Sequence, residues 1–190
     1  NEALVEIARV VGAPEEEATL VEEWVSRGRA GLEEQWDPEL GLCLDRDVLT
    51  GQPLRVRTIA GFAPLIAGNP VGERLRGLLQ TLDSPSFAGN PDLHRPLPPS
   101  TSPEEPAFHP RSYWRGPVWP VANWLLWWSL IRAAETSRAA EIRRETLGQL
   151  AESGFAEYFE PFTGEPLGSQ EQSWTAAIAL DMLAVESKGA

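Results

Sequence analysis

The sequence predicts an all-α protein built from helical hairpins that are joined by long loops. Apolar residues recur at helical spacing in several long stretches, and no stretch alternates apolar and polar residues for long enough to predict a long strand. Two irregular segments, residues 83–110 and 154–172, separate the helical stretches. In a toroid of hairpins, such loops gather at one end and line a shared pocket.

The first hairpin is predicted near the amino terminus. Its first helix spans Glu2 to Val11 and ends at Gly12, and its second starts at the Pro14 turn and runs to about Trp36. The residues expected to face inward are Leu4, Ile7, Ala8 and Val11 on the first helix, and Leu20, Trp24 and Leu32 on the second.

Residues 37–57 are predicted to form a loop because they are rich in Asp, Pro and Gly. A small β-hairpin is expected within it, pairing residues 42–44 with residues 54–56. Asp45 and Asp47 either face a ligand or are solvated loop acids, and the pattern favours neither.

A second hairpin consists of a short apolar helix from Ile59 to Ala67 and a helix that starts at Asn69-Pro70 and runs to about Leu82. The buried stripe expected on the latter is Leu75, Leu78, Leu79 and Leu82.

The third hairpin follows the first irregular segment. Pro117 is expected at the first position of a helix that runs to about Glu135, and Ser137 is expected to cap the next helix, which ends near Ser153. A final helix is predicted from Ser173 to about residue 185. The inward positions expected on these last two helices are Ile142, Leu147, Leu150, Trp174, Ile178, Leu180 and Leu183.

Composition excludes several classes of partner. The net charge of −12 and the pI near 4.6 argue against nucleic acid or an anionic membrane. No signal peptide is recognisable, and the apolar stretches are too short to span a membrane. The single cysteine, Cys43, excludes an internal disulfide framework and fits a reducing compartment. A cytoplasmic location is therefore expected.

Metal chemistry has little support in the sequence. The only histidines, His94 and His109, lie in proline-rich loops, and neither a Cys/His cluster nor a Gly-rich phosphate loop is present. Both histidines are interpreted as loop or packing residues, and no metal is expected.

The stretch 108–128, FHPRSYWRGPVWPVANWLLWW, contains five of the eight tryptophans. Residues 124–128 have helical character and are interpreted as core. The preceding Tyr113, Trp114 and Arg115 fit a sugar site, because an aromatic face covers the C–H face of a pyranose while Tyr and Arg hydrogen-bond its hydroxyls. Gly116 allows the backbone to approach closely.

Residues 154–172 place four glutamates among aromatic rings. A carboxylate in such surroundings suits the general base of a glycosidase. The spacing of the residues does not choose among the candidates, which are Glu157, Glu160, Glu165 and Glu171.

The stretches SYWRGPVWPVANWLL and GFAEYFEPFTGEPLGSQEQSWTAAIALDML, preceded by PSTSPEEPAFHP, resemble glycoside hydrolase family 63 and its trehalase and glucoamylase relatives. Within that family the chain is most similar to the bacterial mannosylglycerate and glucosylglycerate hydrolases. The resemblance covers essentially the whole chain.

The resemblance implies an (α/α)6 barrel that hydrolyses α-glycosidic bonds of a small sugar compound with inversion, without metal or cofactor. It assigns the general base to Glu157, the glutamate of a Glu-Tyr pair, and a structural role to Glu160. The residues that match the family's sugar pocket are Tyr113, Trp114, Arg115, Gly116, Trp119, Gln172 and Trp174. A glycerate carboxylate would pair with one of Arg55, Arg57, Arg111 and Arg115, or none of them.

The chain departs from the family in two respects. An inverting enzyme needs a second carboxyl group as acid, about 6.5–9.5 Å from the base, and the family's Asp-containing motif for that acid does not occur here. Six hairpins also need about twice this length. The chain is therefore expected to be the carboxyl-terminal half of a catalytic domain, with one flank of its helices exposed.

Two alternatives to this function remain open. One is another α-glucosidase or trehalase-like enzyme of the same fold. The other, favoured by the missing acid, is a non-catalytic sugar-binding or interaction domain.

Overall fold

The computed structural model describes residues 1–67 and 70–184, and its regular structure is almost entirely helical. The elements in chain order are α1 (Glu2–Val11), α2 (Glu15–Glu34), β1 (Trp36–Asp37), β2 (Leu42–Cys43), a 3₁₀ turn (Ile59–Phe62), α3 (Ala63–Ala67), α4 (Gly72–Leu82), α5 (Pro120–Arg132), α6 (Thr136–Ser153), β3 (Tyr158–Phe159), β4 (Pro166–Leu167) and α7 (Ser173–Ala184). The predicted all-α class is confirmed.

The main core lies around the α5–α6 hairpin, in which both helices contact α7 and α5 also contacts α3. Its fully buried side chains include Leu126 and Leu130 of α5, Ile142 of α6 and Met182 of α7. On α6 the buried residues recur every three to four positions, so that helix presents one side to its neighbours. Helices α5 and α7 are instead apolar around most of their circumference, and some of their apolar side chains, such as Ile131 and Leu180, remain exposed.

Helix α5 begins later than predicted, at Pro120. Val118 exchanges two backbone hydrogen bonds of 2.9 Å with Phe159 and also bridges to Pro99, which keeps the chain extended there. Pro117 therefore does not occupy the first helical position, and Pro120 does. The predicted cap of α6 is also wrong, because Ser137 lies inside the first turn and Glu135 occupies the cap position.

The small β-hairpin pairs different residues from those predicted. Leu42–Cys43 lies antiparallel to Trp36–Asp37, and residues 54–56 belong to no strand. The intervening turn is tight because the Asp37 side chain accepts hydrogen bonds from the backbone of Glu39 and Leu40, and Gly41 has a positive φ of 64°.

The tryptophan-rich helix is core only in part. Trp127 is buried, Trp124 is half-buried, and Trp128 is exposed with the Arg132 guanidinium 4.4 Å from its ring centroid. The prediction that residues 124–128 form core is therefore correct for the inner side of α5 only.

The first hairpin forms as predicted, but its apolar residues are not covered. Helices α1 and α2 contain no fully buried residue, and large side chains such as Leu4, Ile7 and Trp24 are exposed. Of the expected inward positions, Ala8 and Leu32 are half-buried, whereas the prediction is wrong in this structure for the exposed Leu4, Ile7, Val11, Leu20 and Trp24. The expected exposure of one flank is present.

Two predicted helix boundaries fall outside the described residues, the start at Asn69 and the end at residue 185. Within the described part of the chain, no helix is long and apolar enough to cross a membrane.

Candidate functional site

The two irregular segments, residues 83–110 and 154–172, contact each other, because the His94 N–H donates to Pro161 O at 2.9 Å. We call residues 108–119 the tryptophan segment and residues 154–172 the glutamate loop. The Val118–Phe159 bridge joins them, and β3 pairs with β4 in a register that sets Tyr158 opposite Leu167. The predicted convergence of the two loops is therefore observed.

Glu157 precedes β3 directly and is held from both sides. Its backbone N–H donates to Ser169 O at 2.8 Å, and the Ser169 N–H lies 3.3 Å from its Oε2. Its Oε1 accepts a hydrogen bond of 3.3 Å from the hydroxyl of Tyr113, which is 44 residues away in the chain. One carboxylate oxygen therefore faces the glutamate loop, and the other faces the tryptophan segment.

Tyr113 is half-exposed, and its hydroxyl is a donor. The pKa of Tyr113 is raised above its ordinary value, mainly by loss of hydration and secondly by the negative charge of Glu157. The hydroxyl therefore keeps its proton at neutral pH and remains able to donate to Glu157.

Three aromatic rings stack beside this pair. Trp114 lies parallel to Trp119 with 3.9 Å between ring centroids, and Trp119 lies against Tyr158 at 4.6 Å. Tyr113 meets Trp114, Trp119 and Tyr158 edge to face. Trp119 is only 1% exposed whereas Trp114 is 44% exposed. Trp114 therefore presents an open surface, and Trp119 supports it from behind.

Sequence reasoning did not assign a role to Tyr158, although the Glu-Tyr pair that marks Glu157 contains it. Its ring lies against Trp119 and meets Tyr113, so it connects the glutamate loop to the aromatic stack.

Gly116 is buried and approaches the backbone of the same segment. A Cβ atom at this position would lie 2.5 Å from His109 O, and its N–H donates to Ser100 Oγ at 3.0 Å. The close backbone approach predicted for Gly116 is therefore an approach to the backbone of His109 in the same chain. Arg115 is exposed beside it, and its Nε donates to Ala107 O at 3.3 Å.

Gln172 is the last residue of the glutamate loop, and Trp174 lies at the start of α7. The Gln172 backbone donates to Phe155 O and accepts from Ala176, and Trp174 is exposed in the first turn. Among the described residues, neither side chain makes a hydrogen bond with Glu157, and Trp174 makes no ring contact with Tyr113, Trp114, Trp119 or Tyr158. The structure therefore places neither of them in the aromatic stack.

The other glutamates of the loop differ in their surroundings. Glu160 is buried, and its Oε2 accepts from the Phe162 N–H and the Thr163 hydroxyl, both at 2.8 Å, so it stabilises a turn. Glu165 pairs with Arg111, and Glu171 is exposed. Of the four, Glu157 is the one that faces the tryptophan segment through a hydroxyl donor.

Three of the four candidate carboxylate-binding arginines already have acidic partners. Arg55 pairs with Asp37 at 2.6 Å, Arg57 pairs with Glu105 at 2.9 Å, and Arg111 pairs with Glu165. Arg115 alone among them has no acidic partner within the described chain.

The loop acids near residue 47 do not form a ligand cluster. Asp47 accepts two backbone hydrogen bonds within its own turn, and the bonds from Thr50 and Leu49 lower its pKa. Among the residues that the structure describes, no group of three or more His, Cys, Asp or Glu side chains is arranged to hold a metal ion. His94 instead lies 3.0 Å from a carboxylate oxygen of Glu152.

Comparison with known proteins gives consistent matches. Residues 1–175 match the family model described as "Mannosylglycerate hydrolase MGH1-like glycoside hydrolase domain". A glucosylglycerate hydrolase of Mycolicibacterium hassiacum is 51% identical over 160 residues, which cover 84% of this chain and 36% of that protein. A mannosylglycerate hydrolase of Thermus thermophilus is 39% identical over 84% of this chain and 37% of its own length.

A solved structure shows the same fold. The glycoside hydrolase family 63 mannosylglycerate hydrolase of Thermus thermophilus, in complex with Tris and D-glycerate, matches with a TM-score of 0.84 and 35% identity over 95% of this chain and 42% of that one. The chain therefore has the fold of part of an (α/α)6 barrel. The chain spans little more than a third of the length of the curated relatives it matches.

Proposed function

Because the chain belongs to the family of mannosylglycerate hydrolase MGH1-like glycoside hydrolase domains, we propose that it carries the general base of an inverting glycosidase. The substrate is a small α-linked glucosyl or mannosyl compound, with glucosylglycerate and mannosylglycerate as the first candidates, since relatives bear these names.

The observation that carries the proposal is the meeting of Glu157 with Tyr113 beside an open tryptophan surface. A pyranose stacked on Trp114 would bring its hydroxyls to the Tyr113 and Arg115 side chains. A water molecule held by Glu157 would then face the anomeric carbon. Gly116, Trp119, Gln172 and Trp174 are proposed to complete or support this sugar pocket.

In the proposed mechanism, Glu157 takes a proton from water as the water attacks the anomeric carbon. A carboxylic acid about 6.5–9.5 Å away protonates the leaving oxygen, so the configuration inverts. Among the described carboxylates, Glu160 and Glu165 are engaged by the loop and by Arg111. We therefore propose that the acid lies on residues outside this chain, in the remainder of one (α/α)6 catalytic domain.

The exposed apolar side chains of α1 and α2 support this domain assignment. Side chains such as Ile7 and Trp24 are exposed although they lie on the apolar sides of amphipathic helices. Helices from the rest of a barrel would cover them.

The test uses the full-length protein with glucosylglycerate, mannosylglycerate and trehalose, followed by proton NMR. Early release of the β-anomer of the free sugar from one α-linked substrate is the expected result. Early release of the α-anomer would contradict inversion. Hydrolysis of trehalose alone would favour the trehalase-like alternative, and binding without hydrolysis of any substrate would favour a non-catalytic sugar-binding domain.

The Glu157→Gln variant tests the general base. We expect kcat to fall by about 10³-fold or more while substrate still binds, because the amide cannot accept the proton from water. Calorimetric titration of the variant with substrate checks binding. Near-normal turnover by Glu157→Gln would remove the assignment, and Glu171→Gln, which changes an exposed acid of the same loop, is the matched control.

A further inference from the structure

An ion pair fastens the tryptophan segment to the glutamate loop. Both terminal nitrogens of Arg111 donate to the two carboxylate oxygens of Glu165, with Nη2 at 3.0 Å from Oε1. The fork-shaped arrangement fixes the direction of approach as well as the separation. Each member lowers the free energy of the other's charged form, so the pKa of Glu165 is lowered and that of Arg111 is raised.

Arg111 belongs to a tight loop that also carries Tyr113. The Ser112 N–H donates to His109 O, the Arg115 N–H donates to Ser112 O, and the His109 N–H donates to Arg115 O at 2.6 Å. These turns make residues 109–115 a small closed unit, so an anchor at Arg111 also restrains Tyr113, two residues away.

Glu165 is registered to Glu157 through the β3–β4 hairpin. Glu165 directly precedes β4 and accepts a hydrogen bond of 2.9 Å from the Glu160 N–H, and the next pairs along the hairpin are Phe159 with Pro166 and Tyr158 with Leu167. The hairpin therefore fixes the distance between Glu165, which directly precedes β4, and Glu157, which directly precedes β3.

We propose that Arg111 and Glu165 are a positioning pair that holds Tyr113 at hydrogen-bonding distance from Glu157. This inference rests on the proposed function of Glu157. The Tyr113–Glu157 hydrogen bond is long, at 3.3 Å, so a small shift of the loop breaks it. Both members of the pair are half-exposed, and exposed pairs contribute only about 0–1 kcal/mol to stability. The pair therefore acts on geometry much more than on folding.

The experiment compares Arg111→Gln, Glu165→Gln and the charge-exchanged double variant Arg111→Glu/Glu165→Arg in the full-length protein. Each single variant is expected to lower kcat by about 10-fold, since misplacement of a catalytic contact by about 1 Å can cost about 100-fold. KM is expected to stay within about threefold and Tm within about 2 °C. The double variant is expected to recover most of the lost kcat.

The matched control is Arg9→Gln, which removes an exposed ion pair with Glu6 on α1 and is expected to change neither kcat nor Tm. A second readout, hydrogen exchange, does not depend on turnover. Exchange of residues 109–116 is expected to be faster in both single variants and normal in the double variant and in Arg9→Gln, while exchange of residues 158–167 stays unchanged.

Unchanged exchange in residues 109–116 together with unchanged kcat would overturn the positioning role. A drop in Tm of more than about 5 °C that the double variant does not restore would also overturn it, because the pair would then be structural. If the wild-type protein hydrolyses no substrate while exchange responds as expected, the proposed function fails and the positioning of Tyr113 stands.

Discussion

At the scale of single residues, the surroundings of Glu157 depend on a glycine as much as on hydrogen bonds. Gly168 has a positive φ of 71°, and a Cβ atom there would lie 2.5 Å from Glu157 Oε2 and 2.7 Å from the Tyr158 ring. The absence of a side chain at this position therefore gives the carboxylate the space it occupies.

Gly168→Ala is expected to displace the Glu157 carboxylate and to lower kcat by about 10-fold or more. The left-handed backbone should add a loss of about 1–2 kcal/mol in stability. Activity assays measure the loss of kcat in Gly168→Ala, and chemical denaturation measures its loss of stability.

The control for that prediction is Gly51→Ala. Gly51 has nearly the same φ, 70°, but a Cβ atom there meets nothing within 4 Å. It should therefore lose similar stability without losing activity. Equal activity of the two variants would show that the space beside Glu157 is not required.

At the scale of elements, the two short hairpins position side chains and also contribute Leu42 and Phe159 to the core. The β3–β4 hairpin holds Glu157 and Glu165 at its ends. The β1–β2 hairpin buries Cys43, which is 6% exposed and whose thiol donates to Leu32 O at 3.2 Å. Burial raises the pKa of Cys43 to about 11.

Cys43 is expected to react slowly with iodoacetamide in the folded protein. With a pKa of about 11, only about one part in a thousand is thiolate at pH 8, and the thiolate is the reactive form. The rate of labelling is measured by mass spectrometry after reaction in native buffer and in denaturant. We expect the rate in denaturant to exceed the native rate by about 100-fold or more.

The raised pKa of Cys43 also makes the free energy of unfolding depend on pH. Because the folded pKa is raised, the contribution of the thiol is complete below the ordinary thiol pKa and is lost as the pH rises through about 11. The free energy of unfolding should therefore fall above about pH 9 more steeply in the wild type than in Cys43→Ala. Fast labelling at pH 8 in native buffer would contradict both expectations.

At the scale of the whole molecule, the core and the first hairpin differ in how well they are covered. Each of α5, α6 and α7 has several fully buried side chains, whereas α1 and α2 have none, and Ile7 on α1 is 54% exposed. A groove of about 550 Å³ lies between α1, α2 and the end of α5. These surfaces are where we propose that the rest of the barrel packs.

Ile7→Asp is expected to lower the Tm of the full-length protein by about 4 °C or more, because a buried unpaired carboxylate is costly. In the separate 190-residue chain it should change Tm little, because Ile7 is already exposed. Differential scanning calorimetry of both proteins measures this, with Arg9→Gln on the same helix as control. An equal, small effect in both would contradict the proposed covering of α1.

Local patterns in the sequence determined most of the helices. Periodic apolar residues and glycine or proline stops predicted α1, α2 and α6 close to their observed bounds, since helical hydrogen bonds join residues near in the chain. The same patterns predicted the end of α4 at Leu82 and the start of α7 at Ser173. The stretches SYWRGPVWPVANWLL and GFAEYFEPFTGEPLGSQEQSWTAAIALDML together also predicted the family, which the comparisons confirmed. The catalytic assignment of Glu157 stays a prediction.

Only the tertiary structure decided how distant segments meet. The start of α5 moved to Pro120 because Val118 pairs with Phe159, which is 41 residues later in the chain. Arg111 proved to be paired with Glu165, and Trp119 proved to be buried behind Trp114. A loop adopts its conformation through contacts with distant residues, and local periodicity carries no information about those contacts.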